Sequence, residues 1–211
     1  MAALPSIYII GSQCTGKTTL VTALSAYFEQ HPPASAAQAQ AHPGVIKEVA
    51  RSVLSQHGFT RADIRQSQDR ALELQRLILE AQSAAEQSQG ASSWFISDRS
   101  AVDPVIYARK YAGRAAADAL TATAEWAEMR ERMARSVVVV CEAGVDWLTD
   151  DGVRLMPLDA AEWAQTHAEF CAALADVGLG YHVLPSQMRS TDERVRFVLA
   201  RWEEKIAQGP G

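Results

Sequence analysis

The chain reads as an α/β domain built on a parallel sheet, and three observations predict it. Short apolar runs suited to strands buried on both faces, at Ser6–Ile10, Trp94–Asp98 and Val137–Cys141, alternate with longer segments of helical character. The first run leads into Gly11-Ser12-Gln13-Cys14-Thr15-Gly16-Lys17-Thr18, which satisfies G-x-x-x-x-G-K-[ST] between a strand and a helix. Acids stand at strand ends, at Glu48, Asp98 and Glu142, and the carboxyl edge of such a sheet is where ligands collect. Strands alternating with helices imply right-handed crossovers.

The glycine-rich loop reads as a phosphate cradle. Gly11 and Gly16 let the backbone take positive φ and turn several amides inward, and the helix from Thr19 to Gln30 points its positive end at the same place. Lys17 then reaches the β and γ oxygens, and the Thr18 hydroxyl is the expected protein ligand of a Mg²⁺ ion. Cys14 sits among inward N–H groups that favour a thiolate, though being small enough for the loop explains it as well.

Taken in order, the connection from His31 to Pro43 is rich in Pro, Ala and Gln and reads as a mobile insertion, a flap or a tolerated surface loop. Val45-Ile46 begin a second strand that ends at Lys47-Glu48, and Val49–Gln56 follows as a helix with Gly58 as its stop. Thr60-Arg61-Ala62-Asp63 resembles a capping box opening one long helix from about Ala62 to Gln87. After the strand closing on Asp98, helices are expected over about Pro104–Tyr111 and Ala115–Ala134. Residues 142–157 carry no clear period and read as a loop or lid. Asp159 can cap a helix from Ala160 to about Ala175, Tyr181–Leu184 is the last strand, and Thr191-Asp192-Glu193 opens the terminal helix.

With 211 residues and 48% hydrophobic composition, one domain over 1–211 is expected. A net charge of −5 argues against general affinity for nucleic acid or an anionic membrane. No apolar run approaches the roughly 20 residues that span a bilayer, so no membrane span is expected. Three cysteines without metal spacing fit a reducing compartment and a cytoplasmic location, and the start lacks a basic leader. The five histidines show no metal-ligand spacing, and no G-x-S-x-G elbow occurs.

Asp98 ends a buried strand and would hold a Mg²⁺-bound water, take a proton from an attacking hydroxyl, or only cap the next helix. Arg99 would neutralise a transferring phosphoryl or lie on the surface. Asp103 would bind substrate hydroxyls or cap the helix at Pro104. Glu48 and Arg51, three apart on one helical face, form either a substrate clamp or a surface ion pair. Asp150-Asp151-Gly152-Val153-Arg154 is a turn on pattern alone, and Trp147 and Trp163 read as packing residues.

Four segments together resemble the NadR-like P-loop family, which includes a ribosylnicotinamide kinase domain. They are Gly11 to Thr19, Glu48-Val49-Ala50-Arg51, Asp98-Arg99-Ser100-Ala101-Val102-Asp103, and Trp147 to Arg154. The resemblance implies a P-loop NTPase three-layer sandwich with a five-stranded parallel sheet of kinase-type order 2-3-1-4-5 and a lid. It also implies that Gly11 to Thr19 bind ATP, that Glu48, Arg51, Asp103 and Asp151 face a nucleoside-like acceptor such as nicotinamide riboside, that Asp98 and Arg99 face the reacting phosphoryl and Mg²⁺, and that Arg154 reaches the phosphates from the lid. Some relatives look like regulators, so the alternative is a nucleotide-hydrolysing switch acting through a protein or lipid partner. The chain contains no asparagine, so the guanine signature N-K-x-D is absent, which favours ATP over GTP.

Overall fold

The computed structural model describes residues 4–33, 42–90, 93–144 and 159–209. Five strands and nine helices lie among them, in the order β1 (Ile7–Ile10), α1 (Lys17–Gln30), β2 (Gly44–Ile46), α2 (Val49–His57), α3 (Arg61–Gln66), α4 (Gln68–Ser88), β3 (Phe95–Asp98), α5 (Val102–Tyr111), α6 (Arg114–Thr121), α7 (Ala124–Ala134), β4 (Val137–Cys141), α8 (Ala160–Asp176), β5 (His182–Leu184) and α9 (Thr191–Gln208). The strands pair in parallel as β2-β3-β1-β4-β5, the order that the resemblance implies.

Alternation along the central strands sorts the helices into two layers. Ile7 and Ile9 of β1, with Val137 and Val139 of β4, face α1 and α9 and pack on Leu20, Leu24, Val198 and Trp202. Tyr8, Ile10, Val138 and Val140 face the other way, onto α5 to α8. Both faces of β1 and β4 are therefore dry, which is why these strands read as continuous apolar runs. In the register, Ile9 lies opposite both Asp98 and Val139, so the phosphate loop and Asp98 leave the sheet at one level.

Two expected helices are each divided. The capping box at Thr60 and Asp63 forms, but the helix it opens ends at Gln66. Ser67 is extended and accepts from the Arg70 amide, so it caps a new helix instead of continuing the old one. The segment expected over Ala115–Ala134 is likewise broken, with Thr123 accepting from the Trp126 amide to start α7. α5 begins at Val102, two residues before Pro104, whose missing N–H would be unpaired in that first turn in any case.

A buried polar network ties the layers together. The Tyr8 hydroxyl and Arg132 both donate to Glu86 Oε2, at 2.9 and 2.6 Å. Gln82 donates to Glu86 Oε1 and to Ser97 Oγ, at 3.0 and 3.1 Å. β1, β3, α4 and α7 thus share one set of charge-assisted bonds, and burial raises both the Glu86 carboxyl and the Tyr8 phenol above their ordinary ranges.

Candidate active site

The loop from Gly11 to Thr18 has the backbone its glycines allow. Gly11 has φ 125° and Gly16 has φ 76°. A Cβ on Gly11 would stand 2.7 Å from the Cys141 carbonyl oxygen, so β4 leaves room for nothing larger there. Cys14 also takes a left-handed φ of 58°, a strained turn in the middle of the loop. α1 starts at Lys17, earlier than expected, so its first amides open onto the loop. The Lys17 ammonium is folded into that ring and donates to the Ser12 carbonyl at 2.6 Å. Burial, followed by the charge of Arg99, lowers its pKa to about 8.

Thr18 and Asp98 meet directly, Thr18 Oγ1 donating to Asp98 Oδ2 at 2.5 Å. The other oxygen, Oδ1, is buried with no hydrogen-bond partner among the described residues. Asp98 does not cap the next helix, whose N-cap residue is Ala101. One carboxylate and one hydroxyl, completed by phosphate and water oxygens, make the donor set that Mg²⁺ takes. These two residues therefore fit that ion. Among the described residues no group of three or more His, Cys, Asp or Glu side chains is arranged to hold a metal.

Arg99 is not on the surface. Its φ is 87°, and its side chain, 10% exposed, runs between two acids. Nε donates to Glu48 Oε1 at 2.6 Å and Nη1 to Asp103 Oδ1 at 2.9 Å. The second oxygen of Glu48 accepts from Arg51 Nε at 2.9 Å, and that of Asp103 accepts from the Ser100 amide and hydroxyl. Glu48 lies two residues past β2, as the residue before α2. Burial would raise its carboxyl, but the Arg99 charge and the Arg51 hydrogen bond hold it well below the usual range. At Asp103 the balance reverses, and burial lifts the carboxyl above its ordinary value against the pull of Arg99.

A cleft opens beside the loop, between α2, α3, α4 and α5. Gln13, Glu48, Arg51, Arg99 and Asp103 form its polar end. Leu54, Phe59, Ile64, Leu74 and Ile78 form apolar wall beyond it. The structure thus gathers Gln13, Glu48, Arg51, Arg99 and Asp103 around one opening, and pairs Thr18 with Asp98 next to the loop. Asp151, Arg154 and most of segments 142–157 and 31–43 lie outside the described residues.

A family model described as an AAA domain matches residues 6–194. The chain belongs to that AAA domain family. Its fold is also that of NadR: the structure of NadR protein in complex with NR matches with a TM-score of 0.65 at 18% identity, covering 94% of this chain and 51% of that one. A second NadR structure, with NAD and AMP-PNP, has a TM-score of 0.63 at 17% identity, over 95% and 49% of the two chains. The chain spans about half the length of these NadR structures. Deoxyadenosine kinase from M. mycoides with bound dATP matches with a TM-score of 0.56 at 11% identity, over 94% and 99%. A comparison with the curated proteins finds no match.

Three side chains of this AAA domain hold the loop from outside, and sequence reasoning gave none of them that place. Arg194 of α9 donates to the Thr15 carbonyl at 2.7 Å and to Cys141 Sγ at 3.4 Å. Trp163 of α8, expected only to pack, donates its indole N–H to the Gln13 carbonyl at 2.9 Å. Tyr107 donates to the Gln13 side chain at 3.0 Å. Nothing in the spacing of these residues marks them, since each contact crosses 94 or more positions of sequence. No helix among the described residues is long and apolar enough to cross a membrane.

Proposed function

We propose that this chain is an ATP- and Mg²⁺-dependent small-molecule kinase, which passes the γ-phosphoryl of ATP to a hydroxyl of a nucleoside such as nicotinamide riboside. The observation that carries the reading is the cleft whose polar end shares Gln13 with the phosphate loop. A transferring phosphoryl and an acceptor hydroxyl must meet within van der Waals reach, and a cleft opening onto the loop offers that meeting place. A nucleotide switch has no use for such a pocket. The NR and dATP held by two of the similar structures also support a nucleoside-type acceptor.

In this reading the loop amides and Lys17 bind the β and γ phosphates, and Thr18 with Asp98 hold Mg²⁺. The bound ion would supply charge neutralisation as the β–γ bridging bond breaks. Glu48, kept ionised by its arginines, accepts a hydrogen bond from an acceptor hydroxyl and fixes its direction. Asp103, at the same opening, is the acid that takes the hydroxyl proton as the new O–P bond forms. Arg99 holds both acids at once and keeps their charges from repelling the incoming phosphoryl. The whole of 1–211 works as one unit, and the family and motif pattern support Asp151 and Arg154 as further contributors from 142–157.

The test is product formation from a nucleoside panel with MgATP, followed by mass spectrometry. A phosphorylated nucleoside, formed by the native chain and lost in Lys17→Ala, supports the reading. ATP hydrolysis at one rate with or without every panel member sinks it.

A further inference from the structure

The stripe of α4 that faces inward carries two glutamines, seven residues and so about two turns apart. Gln82 is buried against the sheet and donates to Ser97 and Glu86. Gln75 is as thoroughly buried, 4% exposed, yet its amide makes no hydrogen bond to any described residue. It lines the cleft together with Leu74 and Ile78 of the same helix. What remains exposed of Gln75 includes its amide, which opens onto the cleft, so a ligand that closes over it must supply a hydrogen-bond partner or leave the amide unpaired. Phe59, Ile64, Leu74 and Ile78 line the same cleft, with Arg61 among them.

Resting on the kinase reading above, we propose that Gln75 determines acceptor specificity. It reads a ring that carries a hydrogen-bond donor beside an acceptor, the amide-like edge of an aminopyrimidine, an aminopurine or a ring carboxamide. A carboxamide presents its own acceptor and donor side by side, so it pairs with such an edge through two parallel hydrogen bonds. The apolar walls take the faces of the ring, while the hydroxyl end of the same molecule lies toward Glu48 and Asp103. A compact polyol fills the polar end only and leaves Gln75 unpaired. A site whose buried polar group goes unpaired with the wrong ligand discriminates strongly, because the penalty falls on that ligand alone.

The experiment measures kcat and KM with MgATP for adenosine, cytidine, nicotinamide riboside, purine riboside (which lacks the exocyclic amine) and free ribose. The variants are Gln75→Met, of similar length, and Gln75→Glu, which keeps the acceptor and loses the donor. In the native chain at least one amide-edged riboside is expected to have a KM tenfold or more below that of purine riboside. Gln75→Met should erase that difference with kcat changed less than threefold. Gln75→Glu should raise the KM of the amide-edged riboside as well. If a riboside is phosphorylated but Gln75→Met leaves the ratio of KM values intact, or if ribose serves as well as any riboside, the assignment to Gln75 is wrong while the kinase reading stands. If no panel member yields a phosphorylated product, the kinase reading fails and takes this assignment with it.

Discussion

The Thr18 hydroxyl donates to Asp98 at 2.5 Å across 80 positions of sequence, joining the first turn of α1 to the end of β3. The bond leaves Asp98 Oδ1 buried with no hydrogen-bond partner among the described residues, a carboxylate oxygen still free to take a cation beside the phosphate loop. Asn at this position keeps the volume and the bond to Thr18 and removes the charge. Asp98→Asn should lower turnover at least ~10²-fold, in the range expected for a positioned charged group. It should also weaken the dependence of rate on Mg²⁺ concentration. A loss under threefold, with an unchanged Mg²⁺ titration, would reduce Asp98 to a structural residue.

Lys17 gives a prediction about stability whose sign is opposite to the usual expectation for a motif lysine. Its folded pKa of about 8 lies below its ordinary value of 10.5, because burial disfavours the ammonium. Between those two values the unfolded chain binds more protons, so without nucleotide the native state gains stability as pH rises from 8 toward 10.5. Below pH 8 the full cost of the buried charge is present. Lys17→Met should therefore melt higher than the native chain at pH 7, by on the order of 1–3 kcal/mol, and the gap should close by pH 10. Urea titrations at the two pH values check this, and a variant less stable at pH 7 refutes it.

Glu48 titrates in the other direction. Its folded pKa is depressed by Arg99 and Arg51, so its contribution is present above the ordinary glutamate value and lost as the pH falls below it. Glu48→Gln should cost about 2 kcal/mol at pH 7, since Arg99 keeps Asp103 but loses one of two buried counter-charges. The difference from the native chain should shrink toward pH 3. A pH-independent difference would show that packing, not charge, is what Glu48 supplies.

Arg194 braces the loop through the Thr15 carbonyl and lies so close to Gly16 that a Cβ there would stand 2.5 Å from Nη1. Arg194→Met keeps most of the buried stem and frees the loop. Affinity for a nonhydrolysable ATP analogue, followed by calorimetry, should fall roughly tenfold, the size of one lost charge-assisted bond. The melting curve should fall as well, since the buried Thr15 carbonyl loses this donor. Native affinity in the variant would mean that the loop holds its shape unaided.

Most of the fold was legible because its strands are extreme in composition. A run such as Val137 to Cys141 fits only a strand covered on both faces, and the phosphate-loop motif places β1 and α1 beside it. The divisions at Ser67 and Thr123 were not read, although each is a hydroxyl residue of the kind that caps helices. Buried apolar residues stand on both sides of each break, Ile64 and Ala71 at the first and Leu120 and Trp126 at the second, so hydrophobic pattern alone does not mark it. Glu48, Arg51, Asp98, Arg99 and Asp103 were legible as candidates because they stand at strand ends or in short motifs. Gln75, Tyr107, Trp163 and Arg194 were not, since a helical residue that packs and one that also donates a hydrogen bond look alike until partners distant in sequence are known.

The brace from Arg194 to Thr15 spans 179 positions, and Trp202 similarly reaches back to the Pro5 carbonyl. During synthesis the loop therefore leaves the ribosome long before the side chain that steadies it. At roughly 5–20 residues per second the interval is about 10–40 s. For that time the nascent chain carries its nucleotide loop without its outer support, and β1 without α9 across one face. Commitment to the native site is thus deferred until α9 docks, and a transcript cut short before codon 194 yields a polypeptide that displays the motif without the means to hold it.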